Sequence, residues 1–415
     1  MKYLLWCANA HINFRIPELK AIASFYKIPI KWMENRTEEP YIIVELNKEE
    51  DARKLASRSM LVRGCYELWS QGKTADELHS NLKKNIPKVK HHITNGIHFR
   101  LSVMSFNKKL SQEEKYDKVM SFDYMPFEGK VNLTNPEMIL SLIEYYGICP
   151  NNVPDTPYRS FFGRWLVDGQ RELLNSFTLK KRSFIGTTSM DAELAFLMTN
   201  VAQVGPGDVV VDPFVGTGSI LVSAAQRGSF VWGWDIDFLT LHAKTKPTRF
   251  NEKARKPNES IYLNLKQYGL QHRYLDALVM DSSKHLWRQS NIIDAIVTDP
   301  PYGIRESTER VGNPKERKRK FSAEEVSTEL HYPSKMNYDI ADIMVDLLNF
   351  SVGHLKLGGR LVFWLPVFRE DYSDQLIPSH PCLKLEYNCE QILSTHSSRR
   401  LITLIKIREA EVSGA

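Results

Sequence analysis

The stretch Asp208–Ile220, DVVVDPFVGTGSI, governs how the C-terminal half of the chain is read. Its valine run is continuously apolar rather than alternating, which suits a strand buried on both faces of a parallel sheet. The run stops at Asp212, turns through Gly216 and Gly218, and continues into SILVSAAQRG, a small-residue helical sequence. Strand, glycine turn and helix in that order bring backbone N–H groups at a helix N-terminus close to a ligand. Two ligand classes fit badly. A P-loop needs Gly-Lys-Ser/Thr, but Ser219 and Ile220 follow Gly218. A dinucleotide loop needs a third glycine where Leu221 stands, and has no use for an acid just before the turn.

The pattern then repeats. FVWGWDI is a second strand ending at Asp235, and ALVMDSS places Asp281 where a third would end. IIDAIVTD is a fourth, ending at Asp299. YDIADIMVDLLNFSVGHL reads as a helix, GGRLVFWLP as a strand, and the last two apolar runs as an antiparallel hairpin. A doubly wound α/β Rossmann-like domain is therefore expected over residues 184–415, with its ligand crevice at the carboxyl ends of the strands. A carboxylate at Asp212 suits a ligand with a cationic amino group, such as the methionine end of S-adenosylmethionine. Asp235 is placed to bond ribose hydroxyls and Asp281 to accept from an adenine amine. Taken singly, each acid reads equally well as a solvated strand end or a helix cap.

The fourth strand runs into TDPPYG, Thr298–Gly303. An exocyclic amine on a flat base is a poor nucleophile because its lone pair is delocalised. Asp299 and the carbonyl of Pro300 supply two acceptors for its N–H groups. Pro300 and Pro301 stiffen the turn, and Tyr302 offers a face for base stacking. Such a site works mainly by positioning. The bland alternative is a Pro-Pro strand stop with Tyr302 packed on a neighbour. Adenine N6 and guanine N2 both satisfy this chemistry, and a non-catalytic RNA-binding scaffold remains the rival from outside enzymology.

The first half has another texture. KYLLWCANAH, YIIVEL and VRGCYELW read as strands and IPELKAIASFY and NKEEDARKLASRS as helices, with Asn47 as N-cap of the latter. Thr74 and Glu77 have capping-box spacing. Boundaries are expected at 1–70, 71–150, a linker over 151–183 that begins NNVPDTPY and continues as a basic helix, and 184–415. Ser189 is the expected cap of the helix beginning near Ala192. The net charge of +6 and pI of about 8.8 lean towards a polyanionic partner. Five scattered cysteines without C-x-x-C speak against a disulfide framework or structural zinc and fit a reducing compartment. No run reaches the ~18 apolar residues of a membrane helix, and the opening apolar run is too short for a secretory signal. A cytoplasmic protein is expected. His91, His92 and His98 lack ligating company, so no metal site is expected.

DPPY with DPFVGTGS upstream resembles the amino-group methyltransferases of the Rossmann-like class. More narrowly, FFGRWL, LKKRSFIGTTSMDAELAFLMTNVA, DPFVGTGSILVSAA and TDPPYGIRE are similar to the tRNA guanine-N2 methyltransferases that modify guanosine 10, and the likeness spans nearly the whole chain. FEGKVNLTNPEMIL resembles the closing strands of a THUMP domain. The resemblance implies a ferredoxin-like domain followed by a THUMP domain, S-adenosylmethionine as donor, tRNA as substrate and, in the eukaryotic branch, a small zinc-binding activator subunit. It carries target-base roles onto Asp299, Pro300, Pro301 and Tyr302. Cofactor roles fall on Asp212, Gly216, Gly218, Asp235 and Asp281.

Substrate contacts are expected from basic residues outside the crevice. Lys108 and Lys109 flank Phe106 in FNKKLSQ. Arg164, Arg171, Lys180, Lys181 and Arg182 are expected to track RNA along the linker helix. Arg305 opens RESTERVGNPKERKRK, which carries seven basic and three acidic residues and reads as an RNA-contacting loop.

Overall fold

Long β-branched and aromatic runs build two seven-stranded sheets, one in each of two compact units, Met1–Glu172 and Leu173–Ala415. The computed structural model describes residues 1–33, 38–94, 96–249, 252–284, 286–302, 308–311 and 335–410.

The strands of the first unit are β1 (Lys2–Cys7), β2 (Lys31–Trp32), β3 (Tyr41–Glu45), β4 (Val62–Gly72), β5 (Phe99–Phe106), β6 (Met138–Tyr145) and β7 (Arg159–Asp168). Their order is β2-β3-β1-β4-β7-β6-β5, antiparallel except for the β5–β6 pair. Helices Arg15–Phe25 and Glu49–Arg58 close a core of Leu5, Ile22, Val44 and Leu55, and helix Ala75–Ile93 closes another around Trp69, Leu82 and Phe162. Thr74 caps the last of these helices by accepting from Glu77 N–H, as its spacing predicts. Asn47 does not cap Glu49–Arg58; Lys48 holds that position without a side-chain bond.

The expected basic linker helix, residues 164–182, begins as a strand through Asp168 and is helical only over Glu172–Phe177. Residues 159–168 form β7, a central strand between β4 and β6. The alternation of Phe162, Arg164 and Leu166, with Trp165 between them, is the period-2 pattern that a helical reading overlooks. Arg164 consequently points at protein. Its Nε donates to Glu67 at 2.9 Å and its Nη2 pairs with Glu49. Those carboxylates are mostly shielded, and without Arg164 they would keep Arg53 beside Glu49 and His92 beside Glu67.

The second unit holds β8 (Val209–Asp212), β9 (Phe230–Asp235), β10 (Tyr274–Val279), β11 (Ile293–Thr298), the short pair β12 (Glu309–Val311) and β13 (Lys335–Asn337), then β14 (Leu355–Phe368), β15 (Leu383–Ile392) and β16 (Ser397–Lys406). The main sheet runs β10-β9-β8-β11-β14-β16-β15, parallel up to β14 and antiparallel at β16. This is the expected doubly wound Rossmann-like architecture. Val211, Ile296, Leu361 and Phe363 fill its interior, with Trp234 and the helix Ile340–His354 on one face. The strand order reverses between β8 and β11, so the loops after Asp212 and Thr298 leave the sheet side by side. Among the described residues, no helix is long and apolar enough to cross a membrane.

Arg164→Met is expected to lower unfolding stability by about 1–3 kcal/mol, below the roughly 3–5 kcal/mol of a fully buried uncompensated pair because Arg53 and His92 remain beside the two carboxylates. Lys109→Ala, at an exposed position, should leave the melting curve unchanged. Equal melting temperatures for wild type and Arg164→Met would return Arg164 to the RNA-facing set.

Candidate active site

The two loops at the strand-order reversal enclose a crevice of about 560 Å³. Asp212, Phe214 and the turn Val215–Thr217 form one wall, Asp299–Tyr302 a second, Thr188–Met190 a third, and Leu393, Ser397 and Arg399 from the final hairpin a fourth. Asp212 and the four residues of DPPY, carried here by sequence, thus share one cavity. The walls contributed by Thr188–Met190 and by the final hairpin were not foreseen. Ser189 in particular is no helix cap: Asp191 caps Ala192–Val201, and Ser189 Oγ lies 2.6 Å from Thr217 Oγ1 across the crevice wall.

Asp212 is 1% exposed. Its Oδ1 accepts from Thr298 Oγ1 at 2.6 Å and from Phe214 N–H at 3.1 Å. Burial pushes its carboxyl up to about 7; the two hydrogen bonds oppose that rise, and the nearby Asp235 and Asp299 add to it. The cofactor turn is held by the next acid. Asp235 Oδ2 accepts from Gly216 N–H at 2.9 Å, while Oδ1 accepts from Asp237 N–H at 2.9 Å. Gly216 has φ +48° and Gly218 +77°. A methyl group on Gly218 would meet Ile261 Cγ2 at 2.7 Å, whereas one on Gly216 would point into open space. The first glycine is thus needed for backbone shape alone and the second also for packing.

Asp281 stands two residues beyond β10, buried. It accepts from Ser283 N–H at 2.8 Å and, through its other oxygen, from Val311 N–H of β12 at 2.7 Å. Next to it, Ser282 Oγ accepts from Trp234 Nε1 and donates to the carbonyl of Pro213 at 2.7 Å, which links the end of β10 to the end of β8.

Asp299 is engaged through both oxygens. Tyr302 donates its hydroxyl to Oδ1, and Arg399 Nη1 lies 3.3 Å from Oδ2. Burial and the Asp299 charge hold the Tyr302 phenol well above its usual range, so it stays a donor. The arrangement provides a carboxylate acceptor at the mouth of a stiff turn, an aromatic ring beside it, and a buried acid behind it.

The basic residues expected to face substrate are placed unevenly. Lys109 is exposed, and Lys108 donates to the carbonyl of Asp155 at 2.8 Å. Arg182 is a correction: it is 1% exposed, and its guanidinium donates to Ser219 Oγ at 2.8 Å and to the carbonyl of Phe177 at 3.2 Å. Its segment is drawn inside because Phe177 stacks on Tyr268 with ring centroids 4.2 Å apart. Arg182 therefore props the first turn of helix Ser219–Gln226 instead of facing RNA. Arg164 is likewise committed to Glu49 and Glu67. Arg305 lies outside the described residues, as does most of the basic run that it opens.

The raised Asp212 carboxyl has a definite pH consequence. An acid whose folded pKa of about 7 exceeds its reference of 3.8 costs stability as pH rises between those values, because the unfolded chain gives up the proton first. Asp212→Asn keeps an acceptor for Thr298 and removes the titration. Between about pH 4 and pH 7 the wild type is expected to lose on the order of a few kcal/mol relative to this variant. Thermal melts across that window check it, and parallel curves would refute the buried-acid assignment.

Comparison with known proteins follows the same two-part layout. The family described as Tmrp11 THUMP N-terminal domain matches residues 1–171, and the family described as RMKL-like, methyltransferase domain matches residues 180–318. The chain is 48% identical over 412 residues to the Xenopus laevis protein named tRNA (guanine(10)-N(2))-methyltransferase TRMT11, covering 99% of this chain and 85% of that one. It is 45% identical to the Homo sapiens protein of the same name, covering 99% and 89%. The Saccharomyces cerevisiae tRNA (guanine(10)-N(2))-methyltransferase is 36% identical over 416 residues, covering 97% and 92%. Likeness of this extent runs through the acid-lined crevice and the N-terminal sheet alike, and the chain belongs to the tRNA (guanine(10)-N(2))-methyltransferase family.

Proposed function

We propose that the crevice transfers a methyl group from S-adenosylmethionine to the exocyclic N2 of guanosine 10 in tRNA. The observation that carries this reading is the convergence of Asp212 and Asp299–Tyr302 on one cavity at the strand-order reversal, in a chain of this family. S-adenosylmethionine, when bound, supplies a methyl carbon made electrophilic by the sulfonium.

The residues fit such a ligand. Asp212 is a buried acid at about 7, ready to ionise beside a cationic ammonium. Gly216 leaves open space where any larger side chain would project. Asp235, which holds the turn, is read as the ribose acceptor and Asp281 as the acceptor for the adenine amine, although neither is among the residues that line the crevice. Asp299 and the Pro300 carbonyl accept from the N2 hydrogens and aim the lone pair at the methyl group, while Tyr302 backs the base. The N2 lone pair forms the new N–C bond as the C–S bond breaks. The bonding pair stays on sulfur, and the surplus N–H proton leaves through Asp299 to water. The target amine displaces the Tyr302 hydroxyl as acceptor-seeking group at Asp299, so substrate entry exchanges one hydrogen bond for another.

The N-terminal sheet is read as a ferredoxin-like part over 1–70 and a THUMP part over 71–150 that grip the RNA; β7, inside the expected linker 151–183, belongs to that sheet, so only the stretch after Glu172 leads into the catalytic domain expected at 184–415. Lys108 and Lys109 are the retained candidates for phosphate contact, together with Arg305. A small zinc-binding activator subunit is read as the partner. β10 supports this: among the described residues it pairs with β9 alone at one end of the sheet, and its Leu275 and Val279 are exposed apolar surface that such a partner would cover. A cytoplasmic location is supported by the cysteines, all five of which are unpaired thiols.

Labelled methyl transfer into unmodified tRNA, run with and without the activator and with matched DNA as control, is expected to yield N2-methylguanosine in tRNA alone. Methyladenine, or label in DNA, would overturn the substrate assignment. Asp299→Ala should bind the cofactor normally and lose turnover by about 100-fold or more, on the scale of positioned proton acceptors. Asp235→Ala should weaken cofactor affinity in calorimetry, and unchanged affinity would remove the ribose role.

A further inference from the structure

Arg399 stands on β16, far along the chain from both loops and beyond the stretch 180–318 that matches the methyltransferase family. Its side chain nevertheless reaches the reacting corner. Nη1 lies 3.3 Å from Asp299 Oδ2, and Nε donates to Gln391 Oε1 of β15 at 2.8 Å. The guanidinium also lies over the ring of Trp364 of β14, 4.1 Å from its centroid, and Trp364 is wholly buried. Three fixed partners on three elements thus determine where the cation sits. Such a clamp costs side-chain entropy and places a charge in a half-shielded site. A surface arginine that merely greets RNA would be held by none of them.

The clamp acts on the acceptor. Tyr302 fixes one oxygen of Asp299 and Arg399 the other, so the carboxylate has a single orientation before substrate arrives. When the target amine replaces the Tyr302 hydroxyl, Arg399 keeps its hold on the other oxygen of Asp299. We propose that Arg399 is the positioning residue of the methyl transfer, holding Asp299 aimed through the Gln391 and Trp364 clamp. This rests on the methyltransferase reading given above. Among the described residues, the charged and titratable groups facing Asp299 include the Tyr302 hydroxyl from its own loop, Arg399 from β16 and the Asp212 carboxyl from β8. Only Arg399 among them favours the ionised form by its charge.

The test is steady-state methyl transfer into unmodified tRNA by the full chain, with its activator where one is required. It compares wild type with Arg399→Met, Arg399→Lys, Gln391→Ala, Asp299→Ala and the Asp299→Ala/Arg399→Met pair. Arg399→Met is expected to lower kcat on the order of 10- to 100-fold, the scale for a misplaced reacting group. KM for tRNA and cofactor affinity should stay within about twofold. The acid limb of its pH–rate profile should move to higher pH, because loss of a neighbouring cation favours the protonated acid. Arg399→Lys keeps the charge but loses the fork and the stack, so it should restore the limb and only part of the rate. In the Asp299→Ala background Arg399→Met should cost little more. Should Arg399→Met not fold, Gln391→Ala decides: a smaller fall in kcat alone supports the clamp, and an unchanged kcat overturns it. A rise in KM for tRNA with unchanged kcat would make Arg399 an RNA contact, and fully additive losses would make it a structural residue; either sinks the proposal. If wild type itself transfers no methyl group, the underlying reading has failed instead.

Discussion

A hydrogen bond of 2.6 Å between Thr298 Oγ1 and Asp212 Oδ1 ties the end of one central strand to the end of its neighbour at the point where strand order reverses. Everything proposed for the crevice depends on that adjacency. β8 delivers the turn that contains Gly216 and Gly218, and β11 delivers the stiff Asp-Pro-Pro-Tyr turn. Because the two strands are direct neighbours in the sheet, their loops emerge within reach of one another. A donor site and an acceptor site for a one-carbon unit then need no large motion to meet.

The same adjacency creates an electrostatic problem. Asp212, Asp235 and Asp299 crowd one corner, and burial raises Asp212 to about 7. The protein answers with fixed donors. Backbone N–H groups of Phe214, Gly216 and Asp237, the Thr298 and Tyr302 hydroxyls and the Arg399 guanidinium each take one carboxylate oxygen. The carboxylates are thereby oriented in the absence of ligand, which is the preorganisation that positioning catalysis requires. On the proposed function, a cationic cofactor entering this corner would relieve the crowding of the three acids.

Basic residues divide by a similar logic. Arg164, Arg182 and Arg399 are long cations beside buried acceptors, and each is spent on the inside: on Glu67 and Glu49, on Ser219, and on Asp299. Guanidinium suits this use because its planar fork serves several acceptors at once. Lys109, with one strongly hydrated charge on a flexible stem, stays outside. For a polyanionic substrate the exposed lysines are therefore better candidates than the arginines that surround them in sequence.

What could be read from sequence was whatever follows from local order. The valine run, the Asp212 stop and the Gly216–Gly218 turn announce a buried strand entering a helix. The spacing of Asp212, Asp235, Asp281 and Asp299 at successive strand ends announces a ligand edge, since period and turn chemistry are short-range properties of the chain. The reading failed where distant segments decide. Residues 164–168 looked helical because their basic continuation dominated the pattern, yet they belong to β7, which pairs with β4 and β6, a long-range preference no local window contains. Arg182 looked like an RNA contact because charge usually seeks water; packing of Phe177 on Tyr268 carried it inside. Arg399 had no signal of its own beyond a pair of arginines near the end of the chain. Its meaning appears only when the antiparallel β16 lies against β14, setting its guanidinium over Trp364 and beside a carboxylate 100 residues earlier. Local sequence thus determined the elements and their chemistry, while strand pairing decided which side chains meet, because pairing is set by burial summed over the whole sheet.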